Sequence, residues 1–194
     1  MTHVCSNDSR SPAAAVPAGI EIVPLGSIRR HALEGIARGL RSVFGCSVSV
    51  APAQETPETA CQSSRGQYNT SMILNATRPV VWKKGWKRLA VLDVDIFSGN
   101  LNFVFGQADP SGSTALVSLC RLANQFYSLA ADDALLVERA VKEAVHEIGH
   151  MLALAHCKSP ECVMYFSNSL SDTDKKRASF CPACKGRISS GGAS

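Results

Sequence analysis

Residues 146–150 read His-Glu-Ile-Gly-His, and after a gap of five residues the chain continues with His156. Histidines four positions apart lie on one face of an α-helix, one turn above each other, where they can bind the same ion. Neutral imidazole nitrogens bind Zn²⁺ at about 2.0–2.1 Å, and a catalytic zinc typically keeps three protein ligands and one open position. The spacing therefore predicts a zinc site formed by His146, His150 and His156.

Glu147 follows the first of these histidines on the same predicted helix. A carboxylate in this position can act as the general base that takes a proton from water acidified by the metal to a pKa of about 7. This is the chemistry of a metallohydrolase. The competing interpretation treats the histidines as core residues of an ordinary helix, but it leaves the combination of three histidines with Glu147 unexplained.

This pattern resembles that of the metzincins, a superfamily of zinc peptidases. In metzincins the helix stops shortly after the second histidine, the chain turns, a third histidine returns to the metal, and a tight turn carries a methionine beneath the site. The three histidines and Glu147 match, and Met164 lies where that methionine is expected. The chain departs at Ala153, where the pattern has glycine. Alanine in a left-handed helix stop costs about 1 kcal/mol, so the sequence leaves the backbone of this turn open.

Four cysteines follow at the spacing of a second metal site. They are Cys157, Cys162, Cys181 and Cys184. Four thiolates with a short-spaced final pair are a strong signal for a tetrahedral structural zinc. The whole run of residues 146–184 resembles the archaemetzincin family, whose pattern joins a three-histidine zinc site to a four-cysteine zinc site. The resemblance implies a minimal zinc metallopeptidase with two zinc ions per chain, one catalytic and one structural.

We expect the structural zinc to fix the path of the chain around the catalytic site. Its first predicted ligand, Cys157, is bonded to His156, and its second, Cys162, lies two residues before Met164. The segment after Met164 is too short to form a core of its own, so it needs a metal staple. The hypothesis is that the four-cysteine zinc holds both the third histidine and the methionine turn.

The composition is that of a globular protein. The 194 residues are 45% apolar and 19% charged, with a formal net charge of +4, which predicts one compact domain with a sizeable core. No signal segment precedes residue 18 and no apolar run is long enough to cross a bilayer, so we expect a cytoplasmic location. In a reducing compartment metal binding explains clustered cysteines better than disulfides do. The scattered cysteines, expected to be free or buried thiols, are Cys5, Cys46, Cys61 and Cys120.

We divide the chain into three parts. Residues 1–19, rich in Ser, Ala and Pro, are expected to be a disordered lead-in. Residues 20–153 are expected to form an N-terminal subdomain with a sheet and the active-site helix. Residues 154–194 are expected to form a short C-terminal subdomain with the third histidine, the methionine turn and the four-cysteine zinc site.

The order of predicted elements indicates an α/β (α+β) fold with a mixed, mostly parallel sheet. Strands are predicted at residues 20–25, 46–50, 89–97, 100–109 and 115–122, and helices at residues 28–44, 68–76, 132–153 and 171–180. Glycines at 35 and 39 predict that the first helix packs closely on the sheet. The resemblance implies a metzincin-like arrangement, with an antiparallel edge strand, an active-site helix and a short zinc-stapled C-terminal subdomain.

The short link at residues 98–100 predicts a hairpin, which would make the strand around residues 101–105 antiparallel to its neighbours. In metzincins an antiparallel edge strand borders the cleft and pairs with the extended substrate. The resemblance thus implies that residues 103–108 bind the peptide backbone by β-augmentation. An ordinary capped sheet edge is the alternative.

Four other residues carry weaker hypotheses. Asp93 and Asp95 follow a strand and would either bind metal or satisfy loop amides, and we assign neither to catalysis. Met164 is expected to form an apolar floor under the imidazoles, because a thioether is poorly matched to a metal held by three histidines. Tyr165 would either stabilise an oxyanion, as in some metzincins, or be buried without a catalytic role.

The resemblance implies a peptide or small protein substrate, and we expect a monomer without nucleic-acid or membrane partners. Two other functions compete. The three-histidine site could belong to a metal-binding or regulatory module with little turnover. Alternatively, the four-cysteine knuckle and the aromatic, basic stretch 82–88 could bind nucleic acid, with steep salt dependence as the signature. The basic residues near the knuckle are Lys175, Lys176, Arg177, Lys185 and Arg187.

Overall fold

The structure is a computed structural model that describes residues 14–78, 83–109 and 112–189. Its strands are β1 (Ala14–Ala15), β2 (Gly19–Leu25), β3 (Ser47–Val50), β4 (Cys61–Gln62), β5 (Gln67–Asn69), β6 (Trp86–Leu92), β7 (Ile96–Phe97), β8 (Gly106–Ala108), β9 (Thr114–Ser118) and β10 (Ile188–Ser189). Its α-helices are α1 (Arg30–Phe44), α2 (Thr70–Thr77), α3 (Asp133–Met151), α4 (Leu170–Lys175) and α5 (Pro182–Lys185).

The main sheet has five strands in the order β3-β2-β6-β9-β8. Strands β3, β2, β6 and β9 run parallel to one another. Strand β8 pairs antiparallel with β9 and ends the sheet. The predicted α/β fold, with a mostly parallel sheet and an antiparallel edge strand, is therefore confirmed.

Helices cover both faces of this sheet, which explains the apolar run at the end of β6. Leu89 and Val91 belong to the core cluster shared with α1 and α3. Ala90 and Leu92 belong to a second cluster, on the side of α2. A parallel strand that is buried on both faces lacks the alternation of polar and apolar residues, as expected for its place within the sheet.

The two long helices lie side by side, and glycines of α1 allow their close approach. A Cβ added to Gly35 would lie 2.3 Å from Cγ1 of Val137, and one added to Gly39 would lie 2.5 Å from Cγ1 of Val141. The prediction that these glycines pack against the sheet is therefore wrong. They contact α3, and so they help to position the helix that carries the histidines.

The chain between β6 and β9 differs from the predicted hairpin. The strand predicted at residues 89–97 divides into β6 and β7, and β7 pairs with β5 in a separate three-stranded sheet. Residues 101–105 form no strand, and the antiparallel edge strand is the shorter β8. The link at residues 98–100 therefore does not join two paired strands: β7 pairs with β5, and only one backbone hydrogen bond, from the Val104 N–H to the Ile96 carbonyl at 3.1 Å, connects β7 to the chain that follows the link.

Residues 14–19 are ordered, which corrects the expectation of a disordered lead-in over residues 1–19. Strand β1 pairs in parallel with β10, and β2 begins at Gly19, where the Trp86 ring leaves no room for a Cβ. These backbone pairs were invisible to composition, which registers only the Ser, Ala and Pro content. Residues 1–13 of that prediction, as well as Cys5 and Trp82, lie outside the described residues.

Within the described ranges, no helix combines the length and the apolar character needed to cross a membrane.

Candidate metal centres and the active-site cleft

Helix α3 carries the first two histidines and has a well-defined start. The Asp132 side chain caps it by accepting a hydrogen bond from the backbone N–H of Leu135 at 2.9 Å, which satisfies a donor left free at the first turn. The acidic Asp133 in that turn interacts favourably with the helix dipole. The capped helix then presents its buried face, with His146 on it, toward the cleft.

The helix ends in a left-handed turn at Ala153, whose φ is +57°. The Ala153 N–H donates to the carbonyl of His150 at 2.9 Å, and the Leu154 N–H donates to the carbonyl of Gly149 at 3.1 Å. These two bonds, with the buried Leu154 behind them, form a Schellman motif. Alanine thus adopts the conformation that usually favours glycine, and the turn keeps its geometry.

The three predicted zinc ligands come together with their Nε2 atoms facing one another. Nε2 of His150 lies 3.0 Å from Nε2 of His146 and 3.2 Å from Nε2 of His156. Nitrogens bound to one ion at about 2.0–2.1 Å in tetrahedral geometry are about 3.3 Å apart. The donor set therefore fits a zinc ion.

Backbone carbonyls fix the orientation of two of these rings. Nδ1 of His146 donates to the Val163 carbonyl and Nδ1 of His150 to the Leu154 carbonyl, both at 2.8 Å. Because carbonyls only accept, the proton lies on Nδ1 and the Nε2 lone pair faces the common centre. Burial, as the largest cause, lowers the pKa of His146 well below its usual value and also lowers those of His150 and His156. The rings are therefore neutral, as metal ligands must be.

Met164 is fully buried and lies against Gly149, the residue before His150. A Cβ on Gly149 would lie 2.4 Å from its Sδ atom, so the thioether packs directly against the α3 backbone. The role of Met164 as an apolar floor under the imidazoles stays a prediction. The structure reveals a role for Gly149 that sequence reasoning missed, although its place just before the second histidine was visible.

Glu147 is 5% exposed and faces the edge strand. A Cβ on Gly106 of β8 would lie 2.8 Å from Oε1 of Glu147, so only glycine lets the strand pass this close. Burial, reinforced by the nearby Glu143, raises the pKa of Glu147 well above its usual value, and Lys176 and a backbone hydrogen bond from Ala108 oppose this shift. The carboxyl group is therefore poised to hold or release a proton inside the cleft.

A cleft of about 650 Å³ lies between α3 and β8 and contains the histidines and Glu147. The Phe105 carbonyl and the Asp109 N–H bond to β9, each at 2.8 Å. Backbone groups alternate along an antiparallel strand, so those of Gly106 and Ala108 point away from β9, into the cleft. Phe166, whose ring centroid is 4.7 Å from that of His156, forms part of the opposite wall.

A buried ion pair on α3 was not predicted from the sequence. Glu143 lies one helical turn before Glu147, and its Oε1 is 2.9 Å from Nζ of Lys176 and accepts a 2.9 Å hydrogen bond from Thr173. All three side chains are buried. The sequence alone shows Glu143 four residues before Glu147 and Lys176 among the basic residues near the four-cysteine knuckle, and neither feature indicates the partner of the other. The pair ties the segment after the methionine turn to the active-site helix.

The four predicted cysteine ligands also come together, with all Sγ atoms within 4.8 Å of one another. The Sγ atoms of Cys157 and Cys181 are 3.8 Å apart, which is far beyond a disulfide bond of about 2.05 Å. Sulfurs bound to one zinc at about 2.3 Å in tetrahedral geometry are about 3.8 Å apart. This cluster therefore fits a second zinc ion.

Hydrogen bonds to sulfur support thiolate character in this cluster. The Ser159 N–H donates to Sγ of Cys157 and the Cys181 N–H to Sγ of Cys162, both at 3.4 Å. The pKa of Cys181 is lowered to about 7, and the largest cause is a hydrogen bond to its sulfur from the backbone N–H of Cys184. Burial instead raises the pKa of Cys184. At least one thiol is therefore ready to lose its proton to a metal near neutral pH.

The two clusters are connected through the backbone. The Cys157 N–H donates to the carbonyl of Met164 at 2.8 Å, and Cys157 forms a bridge with Tyr165. Because His156 is bonded to Cys157, any ion that holds the cysteines also restrains the third histidine.

The residues with weaker hypotheses, Asp93, Asp95 and Tyr165, lie outside the histidine cluster and do not line the cleft. Asp95 forms an ion pair with Arg121 and also accepts a hydrogen bond from Gln67, and Asp93 is exposed. Tyr165 is half-buried and does not line the cleft. Cys46, Cys61 and Cys120 are free thiols, and none of them joins a cluster of possible metal ligands among the described residues.

Two of the basic residues near the four-cysteine knuckle are already paired with carboxylates, which leaves fewer of them to bind nucleic acid. Lys176 is buried against Glu143, and Arg177 forms an ion pair with Glu161 at 3.0 Å. In the stretch 82–88, Lys83 lies over the Trp86 ring, 4.5 Å from its centroid, and residues 86–88 belong to β6.

The mixed sheet, the active-site helix and the two clusters define the class of protein, a zinc metallopeptidase of the metzincin type. The model of Peptidase family M54 matches residues 62–190. The chain belongs to this family, the archaemetzincins.

Proteins related to this chain cover almost all of its length. It is 42% identical to the archaemetzincin of Methanocaldococcus jannaschii, over 84% of this chain and 88% of that protein. It is 43% identical to that of Archaeoglobus fulgidus, over 87% and 98%. The crystal structure of the A. fulgidus protein complexed with malonate matches with a TM-score of 0.77 at 42% identity, over 88% of this chain and 99% of that one. A zinc-dependent peptidase from Methanocorpusculum labreanum matches with a TM-score of 0.81 at 30% identity, over 88% of this chain and 100% of that one.

Proposed function

We propose that the chain hydrolyses peptide bonds of peptides or small proteins in the cleft between α3 and β8, with His146, His150 and His156 holding the catalytic zinc and Glu147 acting as general base. The observation that carries this proposal is the convergence of three Nε2 atoms beside a buried carboxyl group. Nε2 of His150 lies 3.0 Å from that of His146 and 3.2 Å from that of His156. When bound, zinc supplies Lewis-acid chemistry that polarises a carbonyl and acidifies water.

Strand β8 binds the substrate as an additional strand. The outward-facing carbonyls of Gly106 and Ala108 and the N–H of Gly106 pair with the extended peptide, which aligns the scissile bond beside Glu147. The N–H of Ala108 donates to Glu147 and so holds the carboxyl group against the strand. Such main-chain pairing fixes the position of the substrate without selecting its side chains.

Glu147 moves the proton that hydrolysis requires. Its carboxylate takes a proton from water as the water oxygen attacks the carbonyl carbon, and it then gives this proton to the amide nitrogen as the C–N bond breaks. The products are a carboxylate and an amine. The raised pKa of Glu147 suits a group that must both accept and donate the proton.

A second zinc, held by Cys157, Cys162, Cys181 and Cys184, has a structural role in this proposal. It keeps His156 and Met164 in place, since Cys157 is bonded to the one and hydrogen-bonded to the other. The proposal thus assigns two zinc ions to each chain.

Replacing Glu147 by Gln tests the central assignment, because glutamine keeps the size of the side chain and removes its basicity. We expect cleavage of a peptide mixture to fall by about 10²–10⁴-fold, while the zinc content per chain stays unchanged. Glu55→Gln, the same change at an exposed position outside the cleft, is the matched control and should keep full activity. A Glu147→Gln chain that cleaves at the wild-type rate would contradict the proposal and favour a metal-binding or regulatory module.

A further inference from the structure

An aromatic surface continues the cleft beyond β8. Phe103 lines the cleft, and the guanidinium carbon of Arg121 lies 4.4 Å from the centroid of its ring. The same guanidinium lies 4.6 Å from the Phe126 ring centroid, and the Phe126 and Tyr127 rings meet edge to face at 5.1 Å. We call these four residues the aromatic shelf.

The shelf is held in place, and Asp95 balances the charge of its guanidinium group. Arg121 donates from Nε and Nη2 to the two oxygens of Asp95, at 2.5 and 2.7 Å. The Tyr127 hydroxyl donates to the Arg121 carbonyl at 3.2 Å. A bidentate pair of this kind fixes the guanidinium plane, so the rings packed on it are presented to solvent in a defined arrangement.

Much of this surface is exposed although it is apolar. Phe126 is 41% exposed and Tyr127 is 40% exposed. Leu101, which lines the cleft beside Phe103, is 51% exposed. Exposed apolar residues scattered singly are ordinary, but a contiguous patch that adjoins a polar site indicates a binding surface.

We propose that the aromatic shelf binds an apolar or aromatic side chain of the peptide substrate, beyond the residues that flank the scissile bond. The inference rests on the proposed function, since the shelf adjoins the cleft where the peptide lies. Residues 103–105 lead directly into β8, so a peptide paired along β8 and extended past its start runs toward Phe103. The five Cα–Cα steps from Phe103 to Ala108 span at most about 18 Å, which places the bound side chain roughly four to six positions from the one opposite Ala108.

The shelf supplies a binding energy that main-chain pairing does not. Pairing along β8 accepts any extended peptide, whereas burial of an aromatic side chain against Phe126 and Tyr127 favours peptides with an apolar residue at one distance from the scissile bond. The substrate class is therefore a peptide long enough to reach the shelf.

A single phenylalanine moved along an otherwise polar peptide tests this inference. The specificity constant kcat/KM is measured for each peptide with the zinc-loaded wild type, and binding is measured by calorimetry with the Glu147→Gln chain. We expect one position to raise both kcat/KM and affinity by about tenfold. Phe126→Ala should abolish that gain and leave cleavage of the all-polar peptide unchanged, whereas Phe126→Leu, which keeps an apolar side chain, should retain much of it.

Val50→Ala is the matched control. Val50 is 44% exposed, close to the exposure of Phe126, but it lies on β3 at the opposite edge of the sheet. This variant should keep the full gain.

Three results would overturn the inference. One is the absence of any favoured position, and another is a Phe126→Ala chain that loses cleavage of all peptides equally. The third is concentration-dependent dimerisation in sedimentation that Phe126→Ala removes, because the shelf would then bind a second copy of the chain. If no peptide is cleaved but the favoured position still strengthens binding to the Glu147→Gln chain, the proposed function fails and the shelf stands.

Discussion

Ala153 and Gly149 show how single residues shape the catalytic centre. Ala153 holds a φ of +57° at the end of α3, and the carbonyl of the next residue, Leu154, orients His150. Gly149 leaves room for the Met164 thioether against the helix. Both positions act on the histidines through the backbone and through packing, without contacting the ion that the histidines are proposed to bind.

Ala153→Gly should stabilise the protein. The left-handed conformation penalises alanine, and the gain is partly offset by the greater freedom of glycine in the unfolded chain, so the free energy of unfolding should rise by about 0.5–1 kcal/mol. Urea denaturation in zinc-saturated buffer measures it. Ala134→Gly, the same change at an exposed position in the first turn of α3, should instead destabilise the protein by up to about 1 kcal/mol. Equal effects of the two variants would show that Ala153 is unstrained.

Gly149→Ala should disturb the floor of the site. The added Cβ would lie 2.4 Å from Sδ of Met164, so the thioether must move, at an expected loss of about 1–3 kcal/mol in the free energy of unfolding. Zinc affinity should fall with it, measured by competition with a chelating dye. Gly149→Ala combined with Met164→Ala, which removes the clash, should recover part of the affinity. An unchanged affinity in the single variant would separate the methionine turn from metal binding.

At the scale of elements, α3 is clamped to the segment after the methionine turn by buried charges. Arg139 donates to both oxygens of Asp174 at 2.7 and 2.8 Å, and Lys176 pairs with Glu143 at 2.9 Å. Each residue of these pairs except Asp174 is buried. Buried charges specify one docked position, because a shifted segment would leave a charge without its partner.

Lys176→Met should therefore be strongly destabilising. Removing the ammonium leaves the Glu143 carboxylate buried and unpaired, with an expected loss of about 3–5 kcal/mol in the free energy of unfolding. Replacing both residues by apolar side chains, Glu143→Leu with Lys176→Met, should restore most of that loss. Arg177→Ala, which breaks the exposed ion pair with Glu161, should change stability by less than about 1 kcal/mol. A small effect of Lys176→Met would contradict the role of this buried pair in docking the segment.

At the scale of the whole molecule, both metal clusters belong to one continuous architecture. The parallel strands position α3, the antiparallel β8 forms the facing wall of the cleft, and the segment from His156 to Cys184 contributes side chains to both clusters of possible metal ligands. The expected monomeric state stays a prediction.

The sequence predicted the two ligand clusters and the central strand, because each has a recognisable pattern of residue types and spacings. The spacing of the histidines and cysteines predicted two clusters, and the structure brings together all seven side chains. The run of apolar residues in β6 predicted a central parallel strand for the same reason. In these cases the signal comes from spacings within short stretches of sequence, although the two cysteine pairs Cys157/Cys162 and Cys181/Cys184 lie further apart from each other.

Contacts between residues far apart in the sequence could not be predicted from such patterns. The partners of Gly35 and Gly39 lie about a hundred residues further on, so the sequence shows only that the glycines permit a close approach. Lys176 was indistinguishable from its exposed neighbours, since only the folded chain brings it to Glu143. The pairing of β7 with β5 in place of a hairpin is likewise decided by the rest of the sheet.

The most direct test of the account is the zinc content per chain, determined by elemental analysis of protein purified without chelator. It is measured on the wild type, on His150→Ala and on Cys184→Ser. The account predicts two zinc ions in the wild type and one in His150→Ala, with Cys184→Ser losing the structural ion and binding the catalytic one more weakly. An equal zinc content in the wild type and in His150→Ala, unchanged after zinc is added, would contradict the three-histidine site.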